Sequence, residues 1–298
     1  MIDVKKCRKS DLRKTAVIAC QGVEGSYSQT AANAIFEQPD IMYMRTFDGV
    51  FRAVNNGLCQ YGILPVENSN AGSVTDVYDL MKIYSFYIVR SVKISIFHTL
   101  LAKEKMRVEN IKEIYTHEQA VRQCSKFLEQ NSHIKINICA NTATAAQFVA
   151  GSDRADIAAI ASGDCAQLYS LAVLGKNIQN NNNNYTRFIC ISKECEVFDN
   201  SDKISLMITL NHKPGALYRV IEQFAKLQLN LTKLESRPIA DTDFEFMFYF
   251  DLNASVENED VYNLLLRLKQ STRHFAFLGN YREINVLNKP QKTSFPYL

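Results

Sequence analysis

The chain runs to 298 residues, 47% of them apolar, with a formal net charge of +3. That is enough for two domains with ample core, and no run of about 18 apolar residues is present to cross a membrane as a helix. Charge and cysteine placement exclude more. Residues 1–15 hold Lys5, Lys6, Arg8, Lys9, Arg13 and Lys14 against Asp3 and Asp11, so the rest is balanced at 28 basic to 29 acidic residues and nucleic-acid binding has no support. Eight cysteines (7, 20, 59, 124, 139, 165, 190 and 195) form no CxxC pair or Cys/His array, so the sequence offers no metal site; they read as reduced thiols of a cytoplasmic protein.

The basic arm reads as a disordered leader, or the remnant of a linker to an upstream domain, and no apolar stretch of signal-peptide length precedes Ala16. Ala16–Cys20 is a first strand. Gln21–Thr30 then forms a glycine-containing turn into a helix reaching Phe36, where Ser26 and Ser28 can cap the helix or offer hydroxyls to an anion. Its spacing matches neither the dinucleotide fingerprint nor the P-loop. A strand at Ile41–Met44 and a helix at Asp48–Asn56 follow.

Ile63, Leu64 and Val66 make a short buried strand with Pro65 at its end, and the chain turns through Glu67-Asn68-Ser69-Asn70 into a helix that Ser73 can cap. A polar loop at the carboxyl end of a strand, beside a helix N-terminus, is where open α/β sheets bind small anions. Tyr87–Leu101 is long enough to cross from one lobe to another. A second α/β unit follows, with strands at 114–115, 136–139 and 157–160 and helices at 119–129, 142–149 and 162–169. Asn180–Asn184, five consecutive asparagines, is a loop, and Tyr185–Ile191 is a strand that returns to the first lobe. Two lobes joined by crossing strands enclose a cleft, the default ligand site.

Residues 194–202 read as a polar linker. Beyond it Ile204, Leu206, Ile208 and Leu210 alternate with Ser205, Met207 and Thr209, Pro214-Gly215-Ala216 opens a helix, a strand spans 229–235, Phe244–Asp251 alternates again, a helix carries Val261, Leu264, Leu265 and Leu268, and a strand near Phe275–Leu278 closes the unit. That is βαββαβ, a ferredoxin-like unit.

Five motifs, in order, carry a resemblance over nearly the whole chain: Gln21–Ser28; Leu64–Ser69 with Ala71–Val74; Tyr185-Thr186-Arg187-Phe188; Gly215-Ala216-Leu217-Tyr218; and Glu235-Ser236-Arg237-Pro238. The sequence resembles prephenate dehydratase, a two-lobed, periplasmic-binding-protein-like α/β catalytic domain followed by a ferredoxin-like ACT regulatory domain. The resemblance implies a basic arm at 1–15, a catalytic domain at 16–193 (lobes about 16–93 with 185–193, and 94–184), a linker at 194–202, an ACT domain at 203–285 and a tail at 286–298. It implies conversion of prephenate to phenylpyruvate, water and carbon dioxide in phenylalanine biosynthesis, with no cofactor or metal, and feedback inhibition by L-phenylalanine in a homodimer or dimer of dimers.

By the same resemblance Thr186, Asn68, Gln123 and Thr116 are catalytic, and Ser26, Tyr27, Ser28, Ser69, Ser73, Thr142, Ala143, Arg187 and Phe188 bind substrate. Thr186 takes the leaving-hydroxyl role, as a hydrogen-bond donor rather than a strong acid. Asn68 is equally suited to an Asx turn, and Arg187 to a carboxylate of the substrate or to an ion pair beneath the loop. Glu67 pairs structurally, because a bare carboxylate would repel a dianion. His117 is the one histidine placed near the site and reads as a satisfied, partly exposed residue. Gly215, Ala216, Leu217, Tyr218, Glu235, Ser236, Arg237 and Pro238 form the phenylalanine site; Glu235 and Arg237 equally suit a surface ion pair. Thr116 stands where serine is usual and Glu118 where proline is, and Ser170 replaces a glycine, a neutral change on its face. Arogenate dehydratase, or a non-catalytic amino-acid sensor, remains the alternative; the family also occurs fused behind a chorismate mutase.

Overall fold

The computed structural model of the chain describes residues 7–9, 12–239 and 245–286; most of the basic arm, Phe244 and all but the first residue of the tail at 286–298 lie outside them. Lobe one begins with β1 (Arg8–Lys9), β2 (Thr15–Gln21), α1 (Tyr27–Ile35), β3 (Gln38–Met44) and α2 (Phe47–Asn55), and continues with β4 (Tyr61–Asn68), β5 (Gly72–Ser73), α3 (Thr75–Met81) and β6 (Tyr87–Ser95). Its central strand β4 is apolar on both faces, with Ile63 and Leu64 fully buried, because helices cover both sides. Pro65, expected at the strand's end, lies inside it. It pairs with Phe188 at a bulge in the ladder, where a missing N–H is tolerated. Ser73 caps nothing: it pairs back on Glu67 in β5, and α3 starts only at Thr75, behind Val74.

The chain crosses at 96–98 into lobe two: β7 (Thr99–Ala102), β8 (Glu113–Thr116), α4 (Glu118–Gln123), α5 (Ser125–Gln130), β9 (Lys135–Ile138), α6 (Thr142–Gly151), β10 (Ile157–Ala161), α7 (Asp164–Leu168) and β11 (Ala172–Gly175). These strands form a sheet in the order β11-β7-β10-β8-β9. The single helix expected over 119–129 is broken at the buried Cys124, whose backbone leaves the helical region (φ −113°, ψ 21°). Asn141 Oδ1 caps α6 by accepting from Thr144 N at 2.8 Å. Ser170 holds φ +54°, so a side chain sits where glycine is relaxed, and the replacement is not neutral to the backbone.

The chain returns through the asparagine run to β12 (Tyr185–Ser192), which lies between β6 and β4. The expected linker is structured: β13 (Val197–Phe198) pairs with β1 and buries both its side chains. Then come β14 (Lys203–Thr209), α8 (Ala216–Lys226), β15 (Asn230–Pro238), β16 (Phe246–Asn253), α9 (Glu259–Ser271) and β17 (His274–Val286), a βαββαβ unit with strand order β15-β16-β14-β17. The molecule is thus α/β, a two-lobed body of the periplasmic-binding-protein type with a ferredoxin-like unit attached.

The two parts share one sheet. The final strand, expected to end near Leu278, continues to Val286. It leaves β14 and runs parallel to β6 from Arg282↔Arg90 to Val286↔Ile94, so a ten-stranded sheet passes through both. The alternation in β14 therefore does not mark a wet face. Ile204, Leu206 and Ile208 pack under α8 and α9, while Met207 packs with Tyr249 and Leu278 against Val66, Tyr78 and Met81 of lobe one. At the bend Gly279 holds φ +154°, and a Cβ there would lie 2.1 Å from Ile88 O. Gly279→Ala is therefore expected to cost about 3 kcal/mol or more, read as the loss of urea-unfolding free energy.

Candidate active site

The motifs Leu64–Ser69 and Tyr185–Phe188 meet across β4 and β12, where Thr186 pairs with Asn68. The Asn68 amide is anchored at both ends. Its Oδ1 accepts from Asn70 N (3.1 Å) and Ala71 N (3.0 Å), and its Nδ2 donates to Asn184 Oδ1 (2.9 Å), Thr186 Oγ1 (3.0 Å) and Tyr185 O (3.2 Å). Asn68 is thus an Asx-turn residue and also the group that orients Thr186. Because the Thr186 oxygen accepts from Asn68, its own proton is left to point elsewhere. Asn70 and Ala71 form one wall of a cleft of about 500 Å³; His117, Gln119, Arg122, Gln123, Asn180 and Asn181 form the other.

Around this junction the polar groups left over are mainly donors. Gln123 Nε2, on the cleft wall, and Asn184 Nδ2, beside Asn68, are buried without a hydrogen-bond partner, as is Ser26 Oγ at the start of α1. Glu67, the nearest carboxylate in sequence to Asn68, is engaged by Lys233 Nζ at 3.1 Å. Such a lining suits a small polyanion. Across the lobes, Gly25 O accepts from Ser162 Oγ (3.3 Å) and Glu24 O from Tyr169 OH (2.6 Å), which holds the loop before α1 against lobe two.

Several expected site residues are used elsewhere. Thr116 is fully buried and gives its hydroxyl to Ile160 O at 2.8 Å, so it presents no donor to the cleft. Tyr27 OH donates to Phe97 O at 2.6 Å. Ser28 is buried in α1, and Ala143 belongs to the core under α6, with half-buried Thr142 beside it at the helix start. Ser69 Oγ accepts from Tyr185 N (3.0 Å), tying the turn to the asparagine run. Ser73 Oγ donates to Glu235 Oε2 (2.7 Å) and accepts from Lys233 Nζ (2.7 Å). Phe188 is 3% exposed and packs in the lobe-one core.

Arg187 is the largest correction. It points away from Thr186 into the junction with the βαββαβ unit. There its guanidinium pairs with Asp251, donates to Tyr281 OH at 2.8 Å, and sets Nε 2.8 Å from Glu283 Oε2. The ion-pair alternative holds and the substrate role falls, because successive residues of a strand face opposite sides. Glu235 and Arg237 do not pair with each other either: Glu235 meets Ser73, and Arg237 makes a forked contact with Asp79 (Nε to Oδ1 3.2 Å, NH2 to Oδ2 2.7 Å). Gly215 takes the left-handed conformation (φ +76°) before α8, Ala216 and Leu217 are half-buried, and Tyr218, Ser236 and Pro238 are exposed.

Two residues near the site escaped the sequence reading. Asn184 sits beside Asn68, hidden in a homopolymer run. His98 is 2% exposed with Nε2 2.7 Å from Gln123 Oε1, so His117, which caps α4 through Nδ1, is not the one histidine at the site. The signal was a lone histidine between apolar Ile96-Phe97 and Leu100-Leu101.

Comparison with known proteins agrees with this picture. Residues 18–196 match the family model of prephenate dehydratase. The chain is 33% identical over 275 residues to arogenate dehydratase/prephenate dehydratase 2 of Arabidopsis thaliana, covering 89% of this chain and 72% of that protein. It is 34% identical over 279 residues to the bifunctional chorismate mutase/prephenate dehydratase of Escherichia coli K12, covering 92% and 72%. Two solved structures superpose with a TM-score of 0.80. One is GqqA, described as a novel type of quorum quenching acylase, at 27% identity with 89% of this chain and 97% of that one covered. The other is prephenate dehydratase from Arthrobacter aurescens in complex with L-Phe, at 25% identity with 89% and 90% covered.

Proposed function

We infer the activity from a premise now in place, that this chain belongs to the prephenate dehydratase family: it converts prephenate to phenylpyruvate, carbon dioxide and water. The ring carboxylate leaves as carbon dioxide; its C–C bonding electrons pass through the cyclohexadiene and break the bond to the 4-hydroxyl, which takes up one proton and departs as water. Aromaticity drives the step, so the protein's task is to hold a dianion and stabilise a departing oxygen. One observation carries the reading. Thr186 Oγ1 is fixed as an acceptor from Asn68, which leaves its proton for the leaving hydroxyl, in a site whose spare groups are donors. Acyl transfer finds less support, since the hydroxyl's side-chain neighbour is an amide and not a base.

The βαββαβ unit serves as an ACT regulatory domain, with L-phenylalanine bound at Gly215–Tyr218 and Glu235–Pro238. Two supports are the Arthrobacter relative's complex with L-Phe and the placement of the Glu235–Pro238 motif. Glu235 and Arg237 rest on Ser73 and Asp79, and Lys233 Nζ joins Glu67 to Ser73, so β15 grips the hairpin that carries Asn68. An effector that moves β15 moves that hairpin, which meets the need for a two-site coupling. β15 lies at the free edge of the sheet with Leu234 exposed, which suits pairing with a second copy in a homodimer or dimer of dimers. Eight free thiols suit a reducing, cytoplasmic setting.

The test is phenylpyruvate formation at neutral pH from prephenate, with arogenate in parallel, each with and without L-phenylalanine. Turnover of prephenate that falls with phenylalanine is expected, and turnover of arogenate alone would reassign the substrate. Lys233→Met is expected to raise the phenylalanine concentration for half-inhibition about fivefold or more, and also to raise KM for prephenate, because Glu67 then stands bare beside Asn68.

A further inference from the structure

We propose that His98 is a positioning residue for the reaction: its imidazole sets which end of the Gln123 carboxamide faces the cleft. The proposal rests on the dehydratase reading and assigns Gln123 the part of an N–H donor to one of the substrate's carboxylates.

His98 lies in the 96–98 crossing, and its backbone is fastened to the return crossing. Its N–H donates to Gln179 Oε1 at 2.9 Å and its carbonyl accepts from Ile178 N at 3.0 Å. Gln123 ends α4, and its carbonyl accepts from Asn180 N at 2.7 Å. Both partners are therefore pinned where the two lobes join, and their side chains meet at 2.7 Å between Nε2 and Oε1. Two atoms of the pair are buried with no partner: His98 Nδ1 and Gln123 Nε2.

Those two orphans decide the arrangement. A neutral imidazole has one N–H. With the proton on Nε2, the ring donates to Gln123 Oε1, both amide hydrogens are free for the cleft, and the ring's orphan is a lone pair. With the proton on Nδ1, the amide must turn over to donate to the bare Nε2. Its carbonyl then faces an incoming dianion, and a buried N–H is left orphaned, the rarer and costlier case. Burial lowers the His98 pKa, with the Gln123 bond opposing, so the ring is neutral at neutral pH and the choice between tautomers operates.

Three variants and one spectrum test this. His98→Gln keeps an N–H donor at similar reach and is expected to hold KM for prephenate within about threefold. His98→Leu is expected to raise KM about tenfold or more, with a smaller change in kcat, since one charge-assisted hydrogen bond is worth at least that factor. In a Gln123→Leu background His98→Leu is expected to add nothing, because its effect runs through the amide. Independently of turnover, the 15N spectrum of the parent's histidines should show a His98 ring protonated at Nε2 and bare at Nδ1. A ring protonated at Nδ1, an undiminished His98→Leu effect on the Gln123→Leu background, or no rescue by glutamine would overturn the proposal. A parent that turns over neither prephenate nor arogenate while showing the Nε2-protonated ring would instead sink the dehydratase reading and leave the His98–Gln123 geometry standing.

Discussion

Thr186→Val is expected to lower kcat for phenylpyruvate formation by about 10²–10³-fold, with KM for prephenate changed less than about threefold. Loss of a single donor to a departing or developing oxyanion has that size in other enzymes. Valine keeps the shape of threonine and favours a strand, so β12 is retained; the cost to the fold is the one hydrogen bond accepted from Asn68 Nδ2, worth about 1 kcal/mol. Thr186→Ser is expected to keep a tenth or more of the parent's kcat, because the hydroxyl survives within reach of the same amide. Steady-state kinetics with a matched unfolding curve check both. A valine variant at near-parental kcat would remove Thr186 from the chemistry and leave Asn68 holding a merely structural turn.

The second large effect lies one residue on, and on the other side of the strand. Arg187→Met is expected to cost about 3–5 kcal/mol of unfolding free energy at neutral pH, because it strips the shared cation from two buried carboxylates. Asp251 keeps a hydroxyl from Ser205, and Glu283 keeps Lys93 (2.9 Å) and Lys203 (3.0 Å). Lysine is no substitute, because the guanidinium addresses Asp251, Tyr281 and Glu283 in three directions.

The same cluster sets an acid limit. Burial pushes the Glu283 carboxyl up, but Arg187, Lys93 and Lys203 pull it down to about 2. Its value in the unfolded chain is roughly 4.3. A depressed folded-state pKa contributes stability that is present above the unfolded value and is lost as pH falls from there towards the folded one. Unfolding free energy is therefore expected to drop as pH falls below about 4.5, and Glu283→Gln to flatten that slope. Urea titrations at stepped pH read both; an unchanged slope would show that other carboxylates set the acid limit.

Local patterns served well where the answer is local. The motif around Asn68 and the motif around Thr186 each pointed to the same polar junction, and the ladder joins them residue to residue. Strand parity alone separates Thr186 from Arg187, yet the partners of Arg187 lie 64 and 94 residues away, beyond any periodicity. Thr116 looked functional from its neighbours in sequence, but its hydroxyl is taken by Ile160, 44 residues on. The neutral partners in β14, serine, methionine and threonine rather than charges, were a sign of a second covered face, whereas the covering surface was not readable. Nor was the length of β17, since Gly279-Asn280-Tyr281-Arg282-Glu283 reads as a loop until β14 and then β6 are beside it.

That last pairing has a consequence in time. Ser91 and Glu283 touch across 192 residues of chain. At 5–20 residues per second, translation leaves β6 waiting roughly 10–40 s for its neighbour. An unpaired hydrophobic edge would invite other nascent chains throughout that interval, and charge is the usual guard. β6 carries two such guards, Arg90 and Lys93, among its apolar residues. Lys93 then becomes a partner of Glu283 when the final strand arrives. Lys93 thus stands as a charge on the open edge of the half-made sheet before it stands in the ion pair that closes it.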